Sequence, residues 1–263
     1  MLIPHSTLGR AVRLRCWFLL LLAASPAFAQ GGPPYFTNDP GTPGNLNFEI
    51  NIGYMPFFFS GQSVSHVPDL DINFGLGDRI QLTYETAWLR VQNPGSKTKF
   101  GLNQSNPGVK WRFYDRGESG LSISMFPQFF LNNPNDSVRR GITPPSDVFE
   151  LPLEFSRKFG PVHVDWEIGY QFVHKGPDAW LTGLVIGHQF TPKLEAEMEI
   201  YAQGTLHPAQ SQPIIDFGAR YKLHRPVILL LMAGRALEQA RSNQPYFLGY
   251  FGVQFLLPPR SYK

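Results

Sequence analysis

In residues 69–86, DLDINFGLGDRIQLTYET, apolar side chains occupy every second position (Leu70, Ile72, Phe74, Leu76) until the chain reaches Gly77-Asp78. The alternation resumes at Ile80, Leu82 and Tyr84, with polar residues between them. Successive side chains of a strand point to opposite faces, so this stretch predicts a hairpin with one apolar and one polar face. The same period recurs in NFEINIGYMPF before it, and then in GVKWRFY, LSISMFPQFFL, FELPLEFSRKF, VHVDWEIGYQF and AWLTGLVIGHQF. IIDFGARYKL, VILLLMAGRA and YFLGYFGVQFL complete the run. KLEAEMEIYAQ is built of good helix formers. Its acids nevertheless fall at 195, 197 and 199, which is strand spacing, and it is predicted as a strand. The count is twelve segments of roughly ten residues, the length that crosses a bilayer when tilted.

The connections alternate in length. GLGD, DRGES, FGP, TPK and HRP are tight, whereas NPGSKTKFGLNQS and NNPNDSVRRGITPPSD are long and polar. SGQSVSH and HKGPD are short links on the long-loop side. Tight turns at one end and longer loops at the other are the layout of an outer-membrane barrel, and an even strand count returns both termini to the tight-turn end.

A water-soluble sheet also alternates, so composition decides which face meets which solvent. The apolar face carries many large aromatics, including Trp88, Trp111, Trp166 and Trp180, near strand ends as often as at centres. The opposite face carries acids, bases and amides, often three per strand. Aromatics at 14% beside charges at 16% fit a lipid-facing exterior better than a soluble exported protein. The predicted fold is all-β, a transmembrane antiparallel up-and-down β-barrel of about 12 strands. Closure of such a barrel pairs every backbone donor and acceptor, as hydrocarbon requires.

The start of the chain reads differently. MLIPHSTLGRAVRLR is basic, CWFLLLLAA is apolar, and Ala27-Phe28-Ala29 fits a cleavage site, so residues 1–29 are expected to be a secretory signal peptide. The apolar run is too short for an anchor. Without Arg10, Arg13 and Arg15 the 23 basic residues become 20 and balance the 20 acids, so the pI of about 9.0 implies nothing about nucleic acid. The only cysteine, Cys16, is lost as well, which leaves the exported chain without disulfide or thiol chemistry. Residues 30–45, rich in Pro and Gly, form a separate N-terminal segment and candidate plug. The barrel is expected over 46–257 and a tail over 258–263.

The stretches GGPPYFTNDPGTPG, LDINFGLGDRIQLTYE, GVKWRFYDRGESGLSIS, FPQFFLNN and VDWEIGYQFV resemble the outer-membrane β-barrel family of the MetA pathway of phenol degradation. The likeness spans most of the mature chain. It implies a transporter of small, often aromatic or hydrophobic, compounds. Barrels of this wider class commonly end on an aromatic residue, whereas here PPRSYK follows Phe255. Phe255 or Tyr262 is therefore the expected signal for the outer-membrane insertion machinery.

The period places a segregated set of charges in the lumen. The first three segments contribute Glu49, Asp69, Asp71, Arg79 and Glu85, and the fourth contributes Lys110 and Arg112. Glu150, Glu154, Asp165, Glu167, Glu195, Glu197 and Glu199 follow on the sixth, seventh and ninth, with Asp216, Arg220 and Lys222 on the tenth. Ionised groups in a narrow lumen are paired or hydrated, so they brace the barrel, bias passing solutes, or do both. Phe126, Phe130, Ile228, Leu230 and Met232 break the rule, as do Leu248 and Tyr250, by putting apolar side chains on the inward register. Two compatible readings follow. One is a hydrophobic stripe along which a greasy solute moves, and the other is packing against the N-terminal segment, with Tyr35 and Phe36 as plug anchors.

His163, Asp165 and Glu167 share a face and suit cross-strand ion pairing more than an acid/base or metal cluster. His66, Asp69 and Asp71 lie together near an outer loop and form a weaker candidate for a divalent ion. No hydrolase, zincin, CxxC or phosphate-loop pattern occurs, so no catalytic residue, metal or cofactor is expected. The expected partners are membrane lipid and a small-molecule solute, with no nucleic acid, and the expected state is a monomer in the bacterial outer membrane. The alternatives are a sealed structural or surface-interaction barrel and a lipid-modifying outer-membrane enzyme.

Overall fold

The computed structural model describes residues 32–117, 120–132, 135–238 and 244–258. The expected signal peptide, Cys16 and Tyr262 lie outside the described residues.

An antiparallel meander begins with β1 (Phe48–Phe59), β2 (Gln62–Leu76) and β3 (Ile80–Gln92). β4 (Lys99–Leu102) pairs with the end of β3, and β5 (Asn106–Asp115) pairs with its beginning. β6 (Leu121–Met125) and β7 (Gln128–Phe130) are two halves of one barrel strand lying between β5 and β8 (Val148–Phe159). β9 (Val162–Val173), β10 (Ala179–Gln189), β11 (Leu194–Thr205), β12 (Gln212–His224), β13 (Val227–Ala236) and β14 (Phe247–Leu257) follow in order. β14 then pairs with β1, from Phe48↔Leu257 to Phe58↔Phe247, and the sheet closes. This is a closed barrel of twelve strand positions, as the sequence predicts. Closure leaves neither β1 nor β14 with a free edge.

Several details differ from the sequence reading. LSISMFPQFFL is interrupted at Pro127, which has no N–H for the ladder. There the Phe126 N–H turns to Pro152 O (3.2 Å) and Pro127 O accepts from Val109 N–H (3.0 Å). The link SGQSVSH is almost all strand, because β2 begins at Gln62 just after the positive-φ Gly61. The long loop before β8 carries a short helix, α1 (Asn135–Arg139), which the polar composition of that loop did not announce.

The hairpin at 69–86 turns its apolar side outward. Asp71, Asn73, Gln81 and Thr83 are buried, whereas Leu82 and Tyr84 are exposed. Around the whole barrel, Trp88, Trp111, Trp166, Ile168, Phe172, Ile186, Phe217, Leu231 and Phe251 are exposed. An apolar belt on this scale is unsuited to water and suited to acyl chains. The interior holds the carboxylates and amides.

Candidate functional site

The lumen is filled by residues 32–44, which enter from the tight-turn end and fold back on themselves. Gly32 N–H bonds to Thr37 O (2.9 Å) and Tyr35 N–H to Gly32 O (3.0 Å), closing the bend. Near the mouth, Thr42 Oγ1 donates to Asp78 O (3.0 Å) and Leu46 N–H to Gly75 O (2.8 Å). Deeper in, the segment's backbone N–H groups meet carboxylates of the wall. Thr37 N–H donates to Glu199 Oε1 (2.6 Å), Phe36 N–H to Glu199 Oε2 (3.1 Å) and Asn38 N–H to Glu167 Oε2 (2.9 Å). The wall's cations meet its carbonyls instead: Lys110 Nζ donates to Asp39 O, and Arg220 to Gly32 O (3.2 Å) and Pro33 O (3.1 Å). A Pro/Gly-rich segment forms little secondary structure of its own. Its buried backbone groups need partners from outside, and the charged wall supplies them.

Three glycines make room for this segment. A Cβ at Gly183 would lie 1.8 Å from Thr37 Oγ1, one at Gly75 1.8 Å from Gly44 O, and one at Gly218 2.5 Å from the Tyr35 hydroxyl oxygen. All three lie on strands that otherwise carry side chains, so the wall is recessed where the segment presses on it.

Tyr35 is buried among Met55, Val185, Ile214, Ile228, Leu230, Met232, Leu248 and Tyr250, with Phe36 packed at the edge of the cluster. Phe36 stacks on Tyr201 at 5.4 Å between centroids. The inward apolar stripe on β13 and β14 thus lies under the plug's aromatic pair. Phe126 is separate from it, buried beneath the Lys110 ammonium at 4.7 Å from the ring centroid, and Phe130 is half-buried.

Of the charged residues assigned to the lumen, Glu49, Asp71, Lys110, Glu150, Glu154, Asp165, Glu167, Glu197, Glu199, Asp216 and Arg220 are buried. Asp69, Glu85 and Glu195 are half-buried. Arg79 and Lys222 are corrections, because both are exposed. Arg79 sits in the turn between β2 and β3, and Lys222 lies near the end of β12, where an ammonium reaches water. Arg112 is half-buried at the rim. It donates to Asp78 O (2.6 Å) and pairs with Asp115 (3.3 Å) rather than with a lumen acid. Among the described residues, Lys110 pairs with Glu154 (3.3 Å), Arg220 with Glu197 (3.5 Å), and His163 faces Asp165, Glu195 and Glu197.

Amides and hydroxyls supply most of the remaining donors, a role the charge pattern did not reveal. Asn51 (2.8 Å) and Asn73 (2.9 Å) bond Asp71, Gln171 (2.6 Å) bonds Glu150, and Ser124 bonds Glu154. Their inward register was the available signal. Of the His66, Asp69 and Asp71 group, His66 pairs with Asp69 (2.7 Å), while Asp71 belongs to the amide network. Glu167 takes Asn38 and is not part of a cluster with His163.

Between plug and wall remains a cavity of about 20 Å³, bordered by Asp39, Glu49, Asp71, Gln81, Lys110 and Phe126. That is space for about one water. At the loop end, Ile142 packs on Ala87, Leu89 and Val91, and Lys99 Nζ caps Arg140 O (2.7 Å), so the loop carrying α1 leans over that mouth.

Closed, apolar outside and polar within, the chain has the fold of an outer-membrane channel barrel. It is similar to the COG4313 outer membrane channel from Pseudomonas putida F1, with a TM-score of 0.67 and 12% identity over 87% of this chain and 100% of that one. It is also similar to the NanC porin (TM-score 0.57, 8% identity, 79% of this chain and 98% of that one). The KdgM porin aligns with a TM-score of 0.54 and 13% identity over 78% of this chain and 98% of that one. No protein-family profile matches the chain, and no curated protein matches it significantly.

Proposed function

We propose that this chain is an outer-membrane channel for small molecules, in which the N-terminal segment closes the lumen and its displacement opens it. The observation that carries the reading is how the lumen is filled. Small barrels with no passage fill the interior with strand side chains. Here a separable segment does so, recessed into glycine slots, its backbone N–H groups donating to Glu199 and Glu167 and its carbonyls accepting from Lys110 and Arg220. The shared fold with outer-membrane channels supports the same reading.

Hydrophobic or aromatic solutes are the class we favour, in keeping with the resemblance to barrels of the MetA pathway of phenol degradation. With Tyr35 and Phe36 withdrawn, Leu230, Met232 and Leu248 would offer an apolar track beside the acidic wall. Planar-bilayer recordings test the channel. The chain lacking residues 32–44 is expected to give larger and more frequent conductance steps than the intact one, and liposomes containing it to admit phenol-sized solutes faster. If both forms are silent and impermeable, the barrel is a sealed structural or surface-interaction one.

A further inference from the structure

Near the tight-turn end of the lumen, His163 of β9 and Glu195 and Glu197 of β11 each bring a donor atom within 4.8 Å of the others. The imidazole lies across the backbone of β10, where a Cβ at Gly187 would stand 1.9 Å from Cε1. Its position is thus set by the sheet. Nδ1 is 3.3 Å from Glu195 Oε1, while Nε2 is 3.3 Å from Glu197 Oε1 and 3.4 Å from Asp165 Oδ2.

The hydrogen bonding of this group is incomplete. Asp165 is fully buried, yet among the described residues neither of its carboxylate oxygens receives a hydrogen bond of good geometry. Among the described residues, Nε2 of His163 has no hydrogen bond of good geometry, and Arg220 Nε stands 3.5 Å from Glu197 Oε2. Arg220 itself is turned to the carbonyls of Gly32 and Pro33. Buried carboxylates without donors carry a large desolvation cost that a cation would offset.

We propose that His163 Nε2, Glu197 and Asp165 bind a transition-metal dication, with Glu195 orienting the imidazole through Nδ1–H. Bonds of about 2.0–2.1 Å to a tetrahedral metal place its donors about 3.3–3.4 Å apart. The two separations from Nε2 have those values. Glu195, imidazole and metal then stand in the order that fixes a ligating tautomer. Imidazole nitrogen with carboxylate oxygen suits Zn²⁺ and its neighbours better than Mg²⁺ or Ca²⁺. The Glu195 side chain is 24% exposed, which leaves the cluster open to solvent on that side.

The test is Zn²⁺ titrated into the full-length folded protein in detergent against a chromophoric chelator, with folding checked by heat-modifiable gel mobility. One site with a Kd below about 10 μM is expected. His163→Gln and the nearly isosteric Asp165→Asn should each weaken it more than tenfold, and Glu195→Gln by about 10- to 100-fold. His174→Gln, in an outer loop, should leave it unchanged. Absence of a site in the unmodified protein overturns the proposal without recourse to any variant. Unchanged affinity in folded Asp165→Asn or His163→Gln overturns it as well, and the cluster is then an imidazolium held among carboxylates.

Discussion

Thr37 in the plug and Glu199 on the barrel wall are joined by a 2.6 Å hydrogen bond from backbone N–H to carboxylate, and the neighbouring Phe36 N–H reaches the other oxygen at 3.1 Å. One side chain thus holds two consecutive peptide groups of a segment with no strand partner. Replacing Glu199 by Ala strands both donors, at a cost on the order of 2–4 kcal/mol. The expected outcome is a barrel that still forms but whose residues 32–44 become protease-sensitive and whose conductance rises. Limited proteolysis followed by mass spectrometry measures the first effect, and bilayer recording the second.

Gly183→Ala approaches the same contact sterically. The new methyl would meet Thr37 Oγ1 at 1.8 Å, far inside contact distance, and the strand backbone is less free to yield than the plug. The variant should resemble Glu199→Ala in protease sensitivity although no hydrogen-bonding group has changed. A plug as protected as in the parent would show that the wall moves instead.

Lys110 and Glu154 lie 3.3 Å apart and both are buried. Lys110→Met leaves Glu154, among the described residues, with the Ser124 hydroxyl as its partner and is expected to destabilise by about 3–5 kcal/mol. Lys110→Met combined with Glu154→Gln should recover most of that loss, because the uncompensated charge is gone. Urea unfolding midpoints of the four members of the cycle give the coupling.

Leu230 and Leu231 are neighbours on β13 with opposite surroundings, 0% and 45% exposed. Leu231→Arg would put a guanidinium in the lipid-facing belt near mid-strand and should cost about 2–4 kcal/mol in vesicles. In detergent micelles, which deform around a guanidinium, the penalty should shrink. Equal penalties in the two media would argue against a bilayer facing Leu231.

The loop carrying α1 has its own anchor. Ile142→Ala removes its contact with Ala87, Leu89 and Val91 and should expose the loop to protease without altering the barrel. Hydrogen bonding from Arg140 lowers the Asp136 carboxyl below its ordinary value of 3.8. A depressed carboxyl contributes stability above the unfolded value and loses it as pH falls through the folded one. Protease sensitivity of the loop should therefore stay flat from neutral pH to about 5 and rise only in stronger acid.

Much of the barrel was legible because the period of two is a local property. It fixed twelve strands, and it chose a strand for KLEAEMEIYAQ against helix propensity. It also put Leu230 and Leu231 on opposite faces within an unbroken apolar run. It misjudged Arg79, Arg112 and Lys222 because alternation continues in the sequence past the point where a strand reaches the rim and its cations find water. It also left Pro127 inside a strand that has no N–H to offer there, and it gave no sign of α1.

The sequence alone determined which face of each strand is greasy, because alternation is set by the backbone. It also marked the Pro/Gly segment as a separate piece and a candidate plug, with Tyr35 and Phe36 as its anchors. Only the tertiary structure decided which groups of the wall hold that segment. Glu199 and Thr37 are 162 positions apart, and Gly183, Gly75 and Gly218 form slots only once closure brings their strands around one lumen. Height along the barrel and the partner across it depend on shear and closure, which no single strand's pattern encodes.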